Sequence, residues 1–274
     1  MEQINIWGIK INPLTKSNIL EIVDNHIAHN DSLFQLTGVN PETISHATQI
    51  PELRQAIYDS EIVNIDNMLV TTCLRLLHYK VPERAACTDI FELLLELAEK
   101  KGYTVYFLGA SQDVIDKMKA NFAKKYPDLK ILKMRNGYFK QADEAGIVEE
   151  ISTLSPDMLF VGLPTPQKEV FIHKYKNVLN ARFAQGVGGA FDCMGGKVNR
   201  APKWMQRIGL EGIHRTLQNP HYYGKRYKVL YLPFLKMFLK EIKFHLPKIP
   251  RKVLLFIGIL MEYSIIDQVS LLIS

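Results

Sequence analysis

Apolar and polar positions along residues 1–196 follow two alternating rhythms. Short apolar runs predict strands at Ser32–Leu36, Glu61–Ile65, Thr104–Leu108, Lys130–Met134, Asp157–Val161 and Arg182–Gln185. Helical spacing fills several of the gaps. Thr88 is placed to cap a helix from Asp89 to Lys101, with Ile90, Leu93, Leu94 and Leu97 on one face and Gly102 just past its end. Ser111 opens a second helix, to about Lys125, which Pro127 closes. Asp143–Leu154 and Gln167–Leu179 read as two more. This succession predicts an α/β fold, with a mostly parallel, Rossmann-like sheet flanked by helices.

After Gly196 the pattern changes. Short helices are expected near Trp204–Ile208 and Glu211–Leu217, the second ended by Asn219-Pro220. Tyr227–His245 reads as a basic amphipathic helix bent at Pro233, and Pro247 and Pro250 break it before an apolar run. The expected organisation is an α/β catalytic domain over 1–196, a basic, aromatic helical C-terminal appendage over 197–246, and an apolar tail over 247–274.

The predicted strands end alike. Thr37 and Asn40, Asp66 and Asn67, Gly109, Gly162, and Gly186 with Gly188 follow the apolar runs. In open α/β sheets ligands bind outside the carboxyl ends of the strands. One such glycine is ordinary tight-turn chemistry. The set points to a crevice where backbone N–H groups approach a phosphate.

Charge sharpens the division. Residues 197–252 hold fourteen Lys or Arg and two acids, Glu211 and Glu241, a balance of +12. The whole chain is +6, so the remainder sums to −6 (6 − 12). The basic segment also carries Trp204, Tyr222, Tyr223, Tyr227, Tyr231, Phe234, Phe238 and Phe244. Cations beside aromatics suit a surface of phosphate next to apolar material: an anionic bilayer, a lipid diphosphate or a nucleic acid. Three cysteines without CxxC spacing indicate reduced thiols and a cytosolic compartment. No secretory signal is apparent at Met1. The run Val253–Ser274 is interrupted by Glu262, Asp267 and Gln268, and so is expected to lie on a membrane surface or pack on a partner instead of spanning a bilayer.

Common sites are missing. There is no GxxxxGK[ST] loop, no GxGxxG after a strand, no HExxH, no Cys/His zinc pattern, no GxSxG and no Asp-x-Asp. Asp66 and Asp192, both near strand ends, are the acids best placed for proton transfer or polar recognition.

These residues carry a resemblance. Thr37-Gly38-Val39-Asn40, Asp66, Pro82-Glu83-Arg84 with Asp89, Phe107-Leu108-Gly109, Tyr126-Pro127, Gly137-Tyr138-Phe139 and Val161-Gly162-Leu163 occur in order. Pro166 with Glu169, Gly186 through Asp192, Arg200-Ala201-Pro202 and Gly209-Leu210-Glu211 complete the series. Over roughly residues 1–230 the chain resembles the WecG/TagA/CpsF family of bacterial glycosyltransferases (glycosyltransferase family 26). It departs from that pattern at Ile65-Asp66-Asn67 (usually Pro-Asp-Gly), Cys87 (usually Gly), Gln167-Lys168 (the usual Lys and Gln exchanged), Glu211-Gly212 (usually Glu-Trp) and His221-Tyr222, where one Arg is lost.

The resemblance implies an inverting, metal-independent transfer of a sugar from a UDP-sugar donor to a polyprenyl diphosphate-linked acceptor. It places that reaction on the cytoplasmic face of the bacterial membrane, in cell-surface polysaccharide synthesis. It implies Asp66 as base, with Thr37 and Asn40 beside it. Gly109, Tyr138, Gly162, Gly188, Asp192, Arg215 and Arg226 are implied around the donor, and Asp89, Gln167, Lys168 and Glu169 in donor or acceptor recognition. No cofactor, metal or nucleic acid is expected. An anionic membrane surface is an expected partner, and homo-oligomerisation is left open. Two other classes compete. A nucleotide-binding oxidoreductase is opposed by the absent dinucleotide fingerprint. A non-catalytic, membrane-associated nucleotide-binding adaptor is opposed by Asp66 and the crevice glycines.

Overall fold

The computed structural model describes residues 3–207 and 209–245. The side chains of Arg207, Arg215, residues 221–230 and His245 fall outside that description, as does the predicted tail over 247–274. The chain opens with a hairpin, β1 (Ile4–Ile6) and β2 (Ile9–Ile11), followed by α1 (Lys16–His29). Strands β3 (Phe34–Val39), β4 (Ile62–Ile65), β5 (Thr104–Gly109), β6 (Lys130–Arg135), β7 (Met158–Gly162) and β8 (Phe183–Gly186) form one six-stranded sheet in the order β4-β3-β8-β7-β5-β6. Every neighbouring pair is parallel, so all six carboxyl ends lie along one edge. The parallel α/β expectation holds.

The helices between the strands are α2 (Pro41–Ala47), α3 (Pro51–Tyr58), α4 (Met68–Leu76), α5 (Cys87–Lys101), α6 (Gln112–Lys125), α7 (Glu144–Leu154) and α8 (Gln167–Lys174). Beyond β8 come α9 (Ala190–Met194), α10 (Lys203–Arg207), α11 (Glu211–Gln218) and α12 (Pro220–His245). The sequence pattern leaves the hairpin and α1 to α4 unpredicted, although Pro at the first turn of α2 and α3 is a start signal. Strand β3 runs three residues beyond its predicted end, which puts Thr37 inside it. Helix α8 ends at Lys174, not Leu179. Pro220 begins a helix as well as following one, and α12 is a single 26-residue helix that continues through Pro233.

One face of the sheet packs α1, α5 and α6 around Phe91, Phe107, Phe160 and Phe191. The Phe91 and Phe160 rings meet edge to face at 4.8 Å. Such pairs add about 0.5–1.5 kcal/mol to area burial. The opposite face is shared by two clusters. One gathers α7 and α8; the other joins the hairpin, α2, α3, α4 and α12. Asn12 protects the outer edge of β4, its amide N–H donating to Val63 O (2.8 Å) and its Oδ1 accepting from Val63 N (2.9 Å).

Sequence reading assigns the aromatics of the basic segment to an outer surface. The fold splits them. Phe234 and Phe238 are fully buried with Leu235 and Ile242, and Phe234 meets Trp7 of the hairpin turn edge to face at 5.0 Å. Phe244 points outward, 82% exposed. The i, i+4 spacing explains the split: 234, 238 and 242 share the inner face, while Lys236, Lys240, Lys243 and Phe244 are exposed.

Candidate active site

Strand β4 ends at Ile65, and Asp66 turns the chain toward α4. The Asp66 N–H donates to Val39 O across the sheet (3.0 Å). Its Oδ1 accepts the N–H of Cys87, the first residue of α5, at 2.6 Å. Helix α5 therefore has no local side-chain cap. Ala86 occupies the cap position, and Thr88, the expected cap, lies inside the first turn. A carboxylate from another strand satisfies one of the open N–H groups and faces the positive end of the helix dipole.

Gly38 makes this approach fit. A Cβ on Gly38 would sit 2.0 Å from Cys87 Sγ and 3.4 Å from Asp66 Cβ. Below them Asn64 Nδ2 donates to Ala85 O (2.5 Å), and Gln185 Nε2 donates to Cys87 O (3.4 Å). Burial pushes the Cys87 thiol well above its ordinary value of 9.0; Asp66 adds to that shift and Lys168 opposes it. The thiol stays neutral and is no nucleophile.

Lys168 reaches this region from α8. It is 8% exposed, and Glu169 beside it 2%. The Lys168 ammonium donates to Glu169 Oε1 and Thr165 Oγ1. Its stem runs beneath the turn after β8: a Cβ on Gly186 would meet Lys168 Cγ at 2.9 Å, and one on Gly188 would meet Lys168 Cε at 3.8 Å. Gly188 has φ +51°, and among the described residues nothing lies within 4 Å of a Cβ on Gly189, so none of them covers the top of this turn. Gln167 is exposed.

Other predicted residues go elsewhere. Thr37 is 3% exposed, and its hydroxyl pairs with Ser60 Oγ (2.8 Å) within the sheet's packing. Asn40 caps α2, its Oδ1 accepting from Thr43 N at 3.0 Å. Gly109 and Gly162 press together: a Cβ on Gly109 would sit 2.5 Å from the Gly162 backbone, and one on Gly162 would sit 2.4 Å from Phe191. At these two positions tight packing accounts for glycine. Tyr138 stands 80% exposed at a cavity of about 380 Å³ lined by Gln112, Lys133, Arg135, Asn136 and Asp143, beside the sheet-edge strand β6. Asp192 on α9 lies 3.7 Å from the Lys197 ammonium.

The segment after β8 returns over the β4 end. Gly209, at φ +81°, places a hypothetical Cβ 3.4 Å from Met68 at the start of α4. Arg84 Nη1 donates to Glu211 Oε2 (3.1 Å), and Arg200 Nη2 to Asp89 Oδ1 (2.5 Å). Asp89 lies in the first turn of α5 and also faces Lys16 at 3.7 Å. The sequence pattern does not mark Arg84, Arg200 or Lys16 as site residues, although Pro82-Glu83-Arg84 and Arg200-Ala201-Pro202 carry part of the family resemblance. Arg215 and Arg226 belong to α11 and α12, but their side chains lie outside the described residues.

A family model for the glycosyl transferase WecG/TagA/CpsF family matches residues 4–248. The N-acetylglucosaminyldiphosphoundecaprenol N-acetyl-beta-D-mannosaminyltransferase of Bacillus subtilis (strain 168) is 32% identical over 211 residues, which cover 76% of this chain and 82% of that protein. Its namesake in Bacillus spizizenii is 33% identical over 195 residues, 71% of this chain and 75% of the relative. That of Staphylococcus aureus (strain MW2) is 25% identical over 219 residues, 79% of this chain and 85% of the relative.

Proposed function

The chain belongs to the WecG/TagA/CpsF family of glycosyl transferases, and from that premise we propose the substrates and the mechanism of this glycosyltransferase. It moves an N-acetylmannosamine-type sugar, or another hexose, from a UDP-sugar to a polyprenyl diphosphate-linked sugar, with inversion. The relatives' names support such an acceptor. The observation that carries the reading is Asp66, a carboxylate held at a strand's carboxyl end by the α5 N-terminus and overhung by the basic segment.

In this mechanism the acceptor hydroxyl attacks the anomeric carbon from the face opposite the diphosphate. The new O–C1 bond forms as the C1–O bond to UDP breaks, and UDP leaves with the electron pair. Asp66 takes the hydroxyl proton. With Oδ1 engaged by Cys87, Oδ2 is the oxygen available to receive it. The open Gly188-Gly189 turn can offer N–H groups to the departing phosphate, and Arg215 and Arg226 add positive charge. No metal is required, in keeping with the absence of Asp-x-Asp from the sequence.

The enzyme works at the inner face of the cell membrane, in cell-surface polysaccharide synthesis. Residues 1–196 carry the catalysis, 197–246 close the site and dock on the bilayer, and 247–274 add apolar contact. No helix among the described residues is long and apolar enough to cross a membrane. The exposed Lys236, Lys240, Lys243 and Phe244 suit docking on an anionic surface.

A donor screen tests the reading: purified protein, a panel of UDP-sugars, a short-chain lipid diphosphate-linked N-acetylglucosamine, and UDP release as the signal. Acceptor-dependent release with at least one donor is expected. Release with none of them overturns the proposed reaction.

A further inference from the structure

We propose that Lys168 reads a hydroxyl of the transferred sugar, that Glu169 is its positioning residue, and that the donor sugar is uncharged on the edge they face. The inference rests on the UDP-sugar reading above and deepens it.

Three observations carry it. The first is place. Lys168 lies under the open turn at the carboxyl end of β8, near the centre of the sheet, and Asp66 follows the carboxyl end of β4, two strands away. The cation and the base thus both lie at the sheet edge where a donor sugar must meet the base.

The second is incomplete hydrogen bonding. The Lys168 ammonium has three N–H donors, and two are committed, to Thr165 Oγ1 and Glu169 Oε1. Among the described residues Glu169 Oε2 is buried with no partner, and so is Gln35 Oε1, whose own amide donates to the Glu169 carbonyl O (3.4 Å). Buried polar atoms of native proteins nearly always find partners. A spare donor beside a spare acceptor matches a hydroxyl, which accepts at its oxygen and donates its proton, the buried Glu169 Oε2 being reached through one water.

The third is charge. A buried lysine facing a diphosphate or a uronate carboxylate gains most when its charge is uncompensated. Here Glu169 already neutralises it at contact distance. A neutral donor–acceptor pair gives orientation and hydrogen bonds without attracting an anion, and a second carboxylate would meet Glu169 as a like charge.

The test is calorimetric binding of UDP, a UDP-hexose and the matching UDP-hexuronate to wild type, Lys168→Met, Lys168→Gln and Glu169→Gln. No acceptor is needed, and circular dichroism confirms folding. Wild type should bind the UDP-hexose more tightly than UDP and more tightly than the uronate. Lys168→Met should lose about tenfold in affinity for the UDP-hexose and leave UDP within twofold. Lys168→Gln, which keeps an N–H donor, should recover part of that loss. Glu169→Gln uncovers the ammonium and should shift preference toward the uronate. Equal losses for UDP and UDP-hexose in Lys168→Met would make Lys168 a diphosphate ligand and overturn the inference. So would unchanged affinities in both Lys168 variants, or a wild-type preference for the uronate. If wild type binds neither UDP nor any UDP-sugar, the donor reading falls and takes this inference with it. If it binds them and only the variant pattern fails, the inference alone is lost.

Discussion

Asp66 and Cys87, twenty-one positions apart in sequence, share one hydrogen bond: the carboxylate Oδ1 receives the first N–H of α5 at 2.6 Å. One side chain thus ends a strand, caps a helix and stands where a base is needed. Its substitutions should separate these roles. Asp66→Asn keeps a cap oxygen, so melting should move little, while transfer falls by about 10² or more. Asp66→Ala should lose transfer to the same degree and also about 0.5–2 kcal/mol of stability. Near wild-type turnover in Asp66→Asn would show that the residue only shapes the turn.

Gly38 offers a packing test of the same corner. An alanine Cβ would meet Cys87 Sγ at 2.0 Å, so Gly38→Ala should cost about 1–3 kcal/mol in urea unfolding. Adding Cys87→Ala removes the obstructing sulfur and should recover part of that cost, a coupling that a double-mutant cycle reads directly.

The thiols predict a pH dependence. Burial raises the Cys73 and Cys87 pKa values above the ordinary 9.0. Above about pH 9 the unfolded chain releases these protons and the folded chain keeps them. Stability should therefore fall as pH rises beyond the ordinary thiol range, by up to about 1.4 kcal/mol per pH unit for each thiol. Replacing either with alanine should flatten the alkaline slope, measured against its own neutral value. In native protein, only Cys193 should label with a thiol reagent at pH 8.

Metal removal gives a fourth test. Turnover should survive excess EDTA. Loss with EDTA and recovery with manganese or magnesium would count against leaving-group stabilisation by protein charges alone.

The two faces of α12 should respond differently. Phe234→Ala opens a cavity beside Trp7 and should cost about 3–5 kcal/mol. Phe244→Ala, on the exposed side, should stay within about 0.5 kcal/mol yet weaken co-sedimentation with anionic vesicles. Reversing Lys236, Lys240 and Lys243 to Glu should abolish most of the salt-sensitive binding, since each cation contributes about 1 kcal/mol at such a surface.

Much of the sheet was legible because its strands are short apolar runs ended by Gly, Asp or Asn, a local signal. Long-range contacts were not. Nothing near Ala86 announces that a carboxylate from β4 caps α5, and Thr88 looks like the better cap until the strands are assembled. Gly109 and Gly162 read as phosphate turns, whereas their contact joins strands across fifty-three positions of sequence. Thr37 is expected to follow a strand because the apolar run stops at Leu36, yet β3 continues to Val39. The exchange of Gln167 and Lys168 was visible in sequence. That it buries the lysine and exposes the amide follows only from the helix.

The edge-to-face contact of Trp7 with Phe234 also sets an order of events during synthesis. The hairpin's indole waits for an aromatic ring made more than two hundred residues later. Until α12 leaves the ribosome, the apolar floor formed by the hairpin, α2 and α4 lacks its cover. Closure across so long a separation comes only after the sheet has been made, and until then the uncovered floor is open to aggregation. A nascent chain arrested before Phe234 should therefore recruit chaperones through its amino-terminal hairpin, and release them once α12 seats.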